Sequence, residues 1–99
     1  MISFNVSKNG SSISNIEVKG HASSDYGTDI LCASVSTAIV ITVNAIEKIG
    51  LIDNIDYQLK EGLFDLKVIK NNGLLNQLLE NLEYSLEDLK NQYPNKFKK

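Results

Sequence analysis

The fold of this chain is decided by residues 30–49, which read ILCASVSTAIVITVNAIEKI. The larger apolar residues in this stretch recur at helical spacing and then spread over more than one face: Val35, Ile39, Val40, Ile41, Val43 and Ile46. A strand of this length would be unusual, and Gly50 supplies a C-terminal stop. We therefore predict a helix, despite its β-branched content. Because this helix is apolar on more than one side, it has to pack both on a sheet and on a second element.

Short segments of alternating polarity on either side of this helix predict two β-hairpins. The first turns at Asn9-Gly10 and the second at Lys60-Glu61-Gly62. A leucine-rich amphipathic segment then predicts a second helix, with Leu75, Leu78, Leu82, Leu86 and Leu89 on one face. The polar tail 95–99 is expected to fray. The predicted fold is α+β, a two-layer ββαββα domain in which both helices pack on one face of an antiparallel sheet.

Composition narrows the class of protein. Ninety-nine residues with 42% apolar content indicate a single domain over 1–99 with a modest core. The net charge is −2 and all ten basic residues are lysines, so direct nucleic-acid binding is not expected. The most apolar stretch, Ala33 to Ile49, is shorter than the roughly 20 residues of a bilayer span, so we expect no membrane partner. One cysteine and no secretion signal favour the cytoplasm.

The only histidine, His21, and the only cysteine, Cys32, lie at the two ends of a short loop that contains glycine and serine. A thiolate with an imidazole base is the smallest pair of groups that can carry out acyl transfer. The pattern places Cys32 in the first turn of the predicted helix, where exposed N–H groups make thiols reactive. Two plainer interpretations stay open at this point: Cys32 as a small buried hydrophobe and His21 as a surface residue.

Other chemistries find little support in the sequence. One histidine and one cysteine would need two or more carboxylates to complete a zinc site, so we predict no metal. Neither glycine-rich phosphate-binding motif occurs, and no cofactor is expected.

Residues 20–46 resemble a known signature. The matching positions are Gly20-His21-Ala22, Tyr26-Gly27, Asp29-Ile30-Leu31-Cys32-Ala33, Ser36 and Val43-Asn44-Ala45-Ile46. They look like the signature of the ribosomal-processing cysteine protease family, Prp. The resemblance extends over the whole chain through the ββαββα order and a closing pattern that ends at Tyr93.

The resemblance implies a small homodimeric endopeptidase without a cofactor. Its substrate would be the short N-terminal extension of a large-subunit ribosomal protein, the twenty-seventh of the bacterial subunit. Family substrates present an aromatic residue, typically phenylalanine, just before the cut.

Carried over to this sequence, the resemblance implies that Cys32 is the nucleophile and His21 the general base. The N–H groups of Cys32 and Ala33 are expected to stabilise the oxyanion. Asp29 is expected to cap the helix or to orient His21, and the two roles are compatible. Ser36, four residues after Cys32, is expected on the same helical face, where it contacts the site or bonds back to its own helix.

Three residues of the connecting segment complete the predicted site. Gly20 and Gly27 are expected to act as pivots of a loop that admits substrate, or to serve ordinary turn geometry. Tyr26 is expected to pack on the substrate or to anchor the loop. The alternative function is a non-catalytic ribosome-associated module that binds a protein and uses Cys32 only for packing.

Overall fold

The computed structural model describes residues 1–20 and 26–98, with the side chains of the first helix described from Ile30 onward. The elements are, in order, β1 (Ser3–Asn9), β2 (Ser12–Lys19), α1 (Tyr26–Lys48), β3 (Ile55–Lys60), β4 (Leu63–Val68) and α2 (Gly73–Gln92). Short 3-10 helices, Ile52–Asn54 and Pro94–Lys96, precede β3 and follow α2. The predicted ββαββα order and α+β class are confirmed.

The four strands form one antiparallel sheet in the order β1-β2-β4-β3. The two hairpins are therefore joined through their second strands, with Val18 of β2 opposite Phe64 of β4. The ladder continues just past β2, where the Gly20 N–H donates to the Gly62 carbonyl over 3.0 Å. This pairing brings the end of β2 next to the β3–β4 turn.

The two faces of the sheet differ in polarity. On one face, Val18, Phe64 and Leu66 are buried in the core under the helices. On the other face, polar residues stand opposite each other, such as Asn5 with Glu17 and Gln58 with Asp65. Strands that alternate in this way bury one face and solvate the other, so both helices lie on the apolar face.

The second helix begins at a side-chain cap. The Asn72 carboxamide oxygen accepts hydrogen bonds from the N–H groups of Leu74 (2.9 Å) and Leu75 (3.1 Å). The leucines that α2 buries completely are Leu75, Leu79, Leu82 and Leu86. The predicted apolar face is thus confirmed at three positions. Leu78 and Leu89 lie only partly buried at its edges.

The first helix begins earlier than the sequence predicts. Tyr26 and Gly27 belong to the first turn of α1 and not to the preceding loop, so the loop prediction is wrong at these two positions. Asp29 is the fourth helical residue, so its predicted place at the N-cap is also wrong. Cys32 is the seventh residue, which puts it in the second turn instead of the first.

Within α1, Ile30–Lys48 is long and apolar enough to cross a bilayer by length and composition. The prediction that the apolar stretch is too short to do so is therefore wrong. The core helix of a soluble protein can satisfy the same criterion. Among the residues of α1 whose side chains are described, five belong to the core: Leu31, Val35, Ile39, Val43 and Ile46.

The tail that was expected to fray is packed instead. Phe97 is 1% exposed and forms a parallel bridge with Ile2. Its ring meets that of Phe4 edge-on at 6.0 Å between centroids, a favourable aromatic geometry. A single aromatic residue among lysines therefore anchors the C-terminal segment to β1.

Leu79 and Leu74 test this account of the core on one helix. Leu79 is fully buried and Leu74 is 51% exposed. We expect Leu79→Ala to lower the free energy of unfolding by about 2–5 kcal/mol, because it removes buried methyl groups and leaves a cavity. Leu74→Ala should change it by less than about 0.5 kcal/mol. Urea denaturation followed by circular dichroism measures both, and equal effects would contradict the assigned packing.

Candidate active site

Cys32 lies half-buried on the face of α1 that adjoins a cavity of about 420 Å³. The size is in the range of ligand-binding clefts, roughly 300–1,000 Å³. Ser36 and Ile39 line the same cavity at the next two turns of the helix. The predicted shared face of Cys32 and Ser36 is therefore confirmed, and Ser36 is exposed there.

The rest of the cavity wall comes from the sheet. Its apolar part includes Val18 and Phe64, whose side chains are buried against the helices. Its rim includes the β3–β4 turn, from Leu59 to Leu63, and Gly20 at the end of β2. The cavity thus combines an apolar floor with a polar rim that carries Lys60 and Glu61, an arrangement suited to a peptide with an apolar side chain.

Sequence reasoning missed the contribution of this turn and of Ile2. The turn itself was recognisable from Lys60-Glu61-Gly62, but its place beside Cys32 follows from the pairing of β2 with β4. Ile2 reaches the cavity because β1 lies beside β2. Neither neighbourhood is encoded by a local motif, since both depend on strand order.

The predicted general base, His21, lies outside the described residues, as do the side chains of Tyr26 and Asp29. The pairing of His21 with Cys32 stays a prediction, and so do the substrate-packing role of Tyr26 and the histidine-orienting role of Asp29. Gly20 is described, at the exit from β2, with φ +105°. This left-handed backbone favours glycine, as its predicted place at a turn requires.

The predicted oxyanion donors, the N–H groups of Cys32 and Ala33, lie beyond the first turn of α1. Cys32 and the exposed Ala33 are the seventh and eighth residues of α1, where backbone N–H groups bond to carbonyls four residues earlier. Only the N–H groups of the first turn lack such partners. This helix therefore does not support the N–H groups of Cys32 and Ala33 as oxyanion donors.

Among the described residues, no group of three histidine, cysteine, aspartate or glutamate side chains is placed to hold a metal ion. Among the described residues that line the cavity, Cys32 carries a thiol and Ser36 a hydroxyl on the same face of α1.

Comparison with known proteins identifies the family. The model of the family described as "Cysteine protease Prp" matches residues 1–98. The chain belongs to the Prp family of cysteine proteases. Sequence comparison with curated proteins finds no match.

Solved structures of Prp superpose on this chain over nearly its whole length. The S. aureus ribosomal processing protease Prp with a substrate peptide has a TM-score of 0.84 and 27% identity, covering 99% of this chain and 96% of that chain. The same S. aureus protease with a covalently linked product peptide gives a TM-score of 0.83 at the same identity and coverage. A Streptococcus mutans protein gives a TM-score of 0.83 and 26% identity, covering 99% of this chain and 90% of that chain.

Two serines of α1 provide a test of the cavity in this Prp protease. Ser36 lines the cavity, whereas the Ser34 hydroxyl donates to the Ile30 carbonyl of its own helix over 2.9 Å. We expect Ser36→Ala to lower kcat/KM for peptide hydrolysis about 2- to 12-fold, equivalent to the loss of one hydrogen bond of about 0.5–1.5 kcal/mol.

Ser34→Ala is the matched control and should leave kcat/KM unchanged. Initial rates on a fluorogenic peptide measure both variants. A larger loss in Ser34→Ala than in Ser36→Ala would show that the cavity is not where substrate reacts.

Proposed function

We propose that this Prp protease removes the short N-terminal extension of a large-subunit ribosomal protein, the twenty-seventh of the bacterial subunit. The observation that carries the proposal is the position of Cys32 at a cavity of about 420 Å³ in a chain of this family. The S. aureus relative, a ribosomal processing protease, holds a substrate peptide in one structure and a covalently linked product peptide in another. Ribosome assembly would place this activity in the cytoplasm.

In the proposed reaction the Cys32 sulfur attacks the carbonyl carbon of the scissile peptide bond, while His21 takes the thiol proton. His21 then gives this proton to the leaving amine, which becomes the new N-terminus of the ribosomal protein. The extension is left as a thioester on Cys32, and water hydrolyses it to a free carboxylate. The thiol is regenerated, so no cofactor is consumed.

The shape of the cavity supports an extended peptide substrate. Its floor is apolar, with Ile39 and Phe64 buried beneath it, so one apolar side chain of the peptide can be desolvated there. The polar rim at Lys60 and Glu61 leaves the remainder of the peptide in contact with water. A cavity with an apolar floor and a polar rim favours recognition of one large apolar side chain next to the cut.

The test is cleavage of the host's ribosomal protein that still bears its N-terminal extension, followed by intact-mass spectrometry. We expect one cut near the N-terminus by the native protease. Cys32→Ala and His21→Ala should each slow it by roughly 10³-fold or more, since both groups act as a unit. Circular dichroism of each variant serves as the folding control, and an unchanged rate in Cys32→Ala would contradict the proposal.

We also propose that the protein is a homodimer. The support is the solvent-facing side of α1, where Ile30 is 61% and Ile41 is 62% exposed and no charged residue occurs between Ile30 and Asn44. Exposed apolar surface of this kind is typical of protein interaction sites. A second copy of the same helix would present an equally uncharged surface.

Light scattering coupled to size exclusion tests the dimer. We expect Ile41→Glu to shift the mass from that of two chains to that of one, because a buried carboxylate at a dimer interface is strongly unfavourable. Gln77→Glu, at an exposed position of α2, is the control and should leave the mass unchanged. A native protein with the mass of one chain across the concentration range would overturn this proposal.

A further inference from the structure

Ile2, near the start of the chain, pairs with residues 96–98 beside the candidate active site. The Ile2 N–H donates to the Lys96 carbonyl over 3.0 Å, and the Lys98 N–H donates to the Ile2 carbonyl over 2.7 Å. Between these two bonds, Phe97 is buried against the core. The C-terminal segment 96–98 is therefore fixed to the start of β1 through its backbone.

Ile2, held in this way, forms part of the cavity wall, as does Gly20. The backbone of Met1 and Ile2 approaches Gly20 closely: a Cβ atom at Gly20 would collide with the Met1 carbonyl oxygen and lie 3.1 Å from the Met1 carbonyl carbon and 3.4 Å from the Ile2 Cα. On its other side, the Gly20 N–H donates to the Gly62 carbonyl. Gly20 is thus confined between the N-terminal residues and the β3–β4 turn.

Gly20 differs in this respect from two other glycines with positive φ. Gly10 and Gly50 adopt φ +66° and +80°, but a Cβ atom at either would meet no atom within 4 Å. At those two positions glycine is needed only because the turn requires a positive φ. At Gly20 the missing side chain also permits a close approach of two backbone segments at the cavity.

We propose that the C-terminal segment 96–98 is a positioning element of the active site. Through Ile2 and Met1 it fixes Gly20, and with it the cavity wall that adjoins Cys32. Gly20 also directly precedes His21 in the sequence. The effect of this segment on the rate of peptide hydrolysis rests on the proposed function. Its effect on the structure around Cys32 does not. Displacements of about 1 Å in such supporting structure can cost roughly 10²-fold in rate.

The sharpest test compares Lys98→Pro with Lys98→Ala. Proline removes the N–H that donates to Ile2, whereas alanine keeps it and removes only the exposed side chain. Phe97, with φ −105° and ψ 143°, already has the extended backbone that precedes proline readily. Two rates are measured well below the melting temperature of both variants: iodoacetamide alkylation of Cys32, the only cysteine, and peptide hydrolysis.

We expect Lys98→Pro to change the alkylation rate of Cys32 and to lower kcat roughly 10- to 100-fold with little change in KM. Lys98→Ala should match the native protein in both. If Lys98→Pro lowers only the melting temperature and leaves the alkylation rate unchanged, the segment is merely structural and the inference is overturned. If the native protein hydrolyses no peptide, the proposed function fails, and the alkylation comparison still decides the positioning role.

A second pair of variants tests the inference if Lys98→Pro does not fold. Gly20→Ala and Gly10→Ala both place an alanine at positive φ, +105° and +66° respectively, but only the first adds a collision at the cavity. The inference predicts a changed alkylation rate of Cys32 in Gly20→Ala alone. Equal alkylation rates in the two folded variants would contradict it.

Discussion

The pairing of β2 with β4 is the interaction on which the rest of this structure depends. It joins two ββα halves into one sheet and places Val18 opposite Phe64 beneath the helix layer. The same ladder extends to Gly20 and Gly62, so the end of β2 and the β3–β4 turn form one border of the cavity. Without this register, Cys32 would face a different set of residues.

The apolar character of α1 follows from this position. Five of its described residues belong to the same core as Val18, Phe64 and Leu66 of the sheet. The flank that carries Cys32 and Ser36 is only partly covered, because the cavity lies between it and the β3–β4 turn. The helix therefore serves both as a core element and as one wall of the cavity.

Much of the fold could be predicted from the sequence, because its signals are local. The alternation in the strands, the glycine turns and the leucine periodicity of α2 each specify one element. The start of α1 could not be placed, since Asp29 is a good cap residue and nothing in the pattern marks Tyr26 as helical. The burial of Phe97 was missed for a related reason: a lone aromatic residue among lysines carries no periodic signal, and its partner Ile2 lies 95 residues away.

Some residues of the candidate site could likewise be predicted from the sequence, and others could not. Cys32 and Ser36 could be assigned to one face from helical spacing alone, whereas the contributions of Ile2, Gly62 and Leu59 depend on strand order. Which residues of the sheet lie near Cys32 is thus determined by the tertiary structure and not by a local motif. The chain belongs to a family of cysteine proteases and Cys32 is its only cysteine, which supports the proposal that Cys32 is the nucleophile. The structure adds the residues that line the cavity beside it.

The most direct test of this account is to trap the acyl-enzyme. The native protease is mixed with the extended ribosomal protein, quenched in acid at early times, digested and sequenced by tandem mass spectrometry. We expect the N-terminal extension to be attached as a thioester to Cys32 and this attachment to disappear as hydrolysis proceeds. Cleavage that proceeds with the extension attached to another residue would contradict the central claim that Cys32 is the nucleophile.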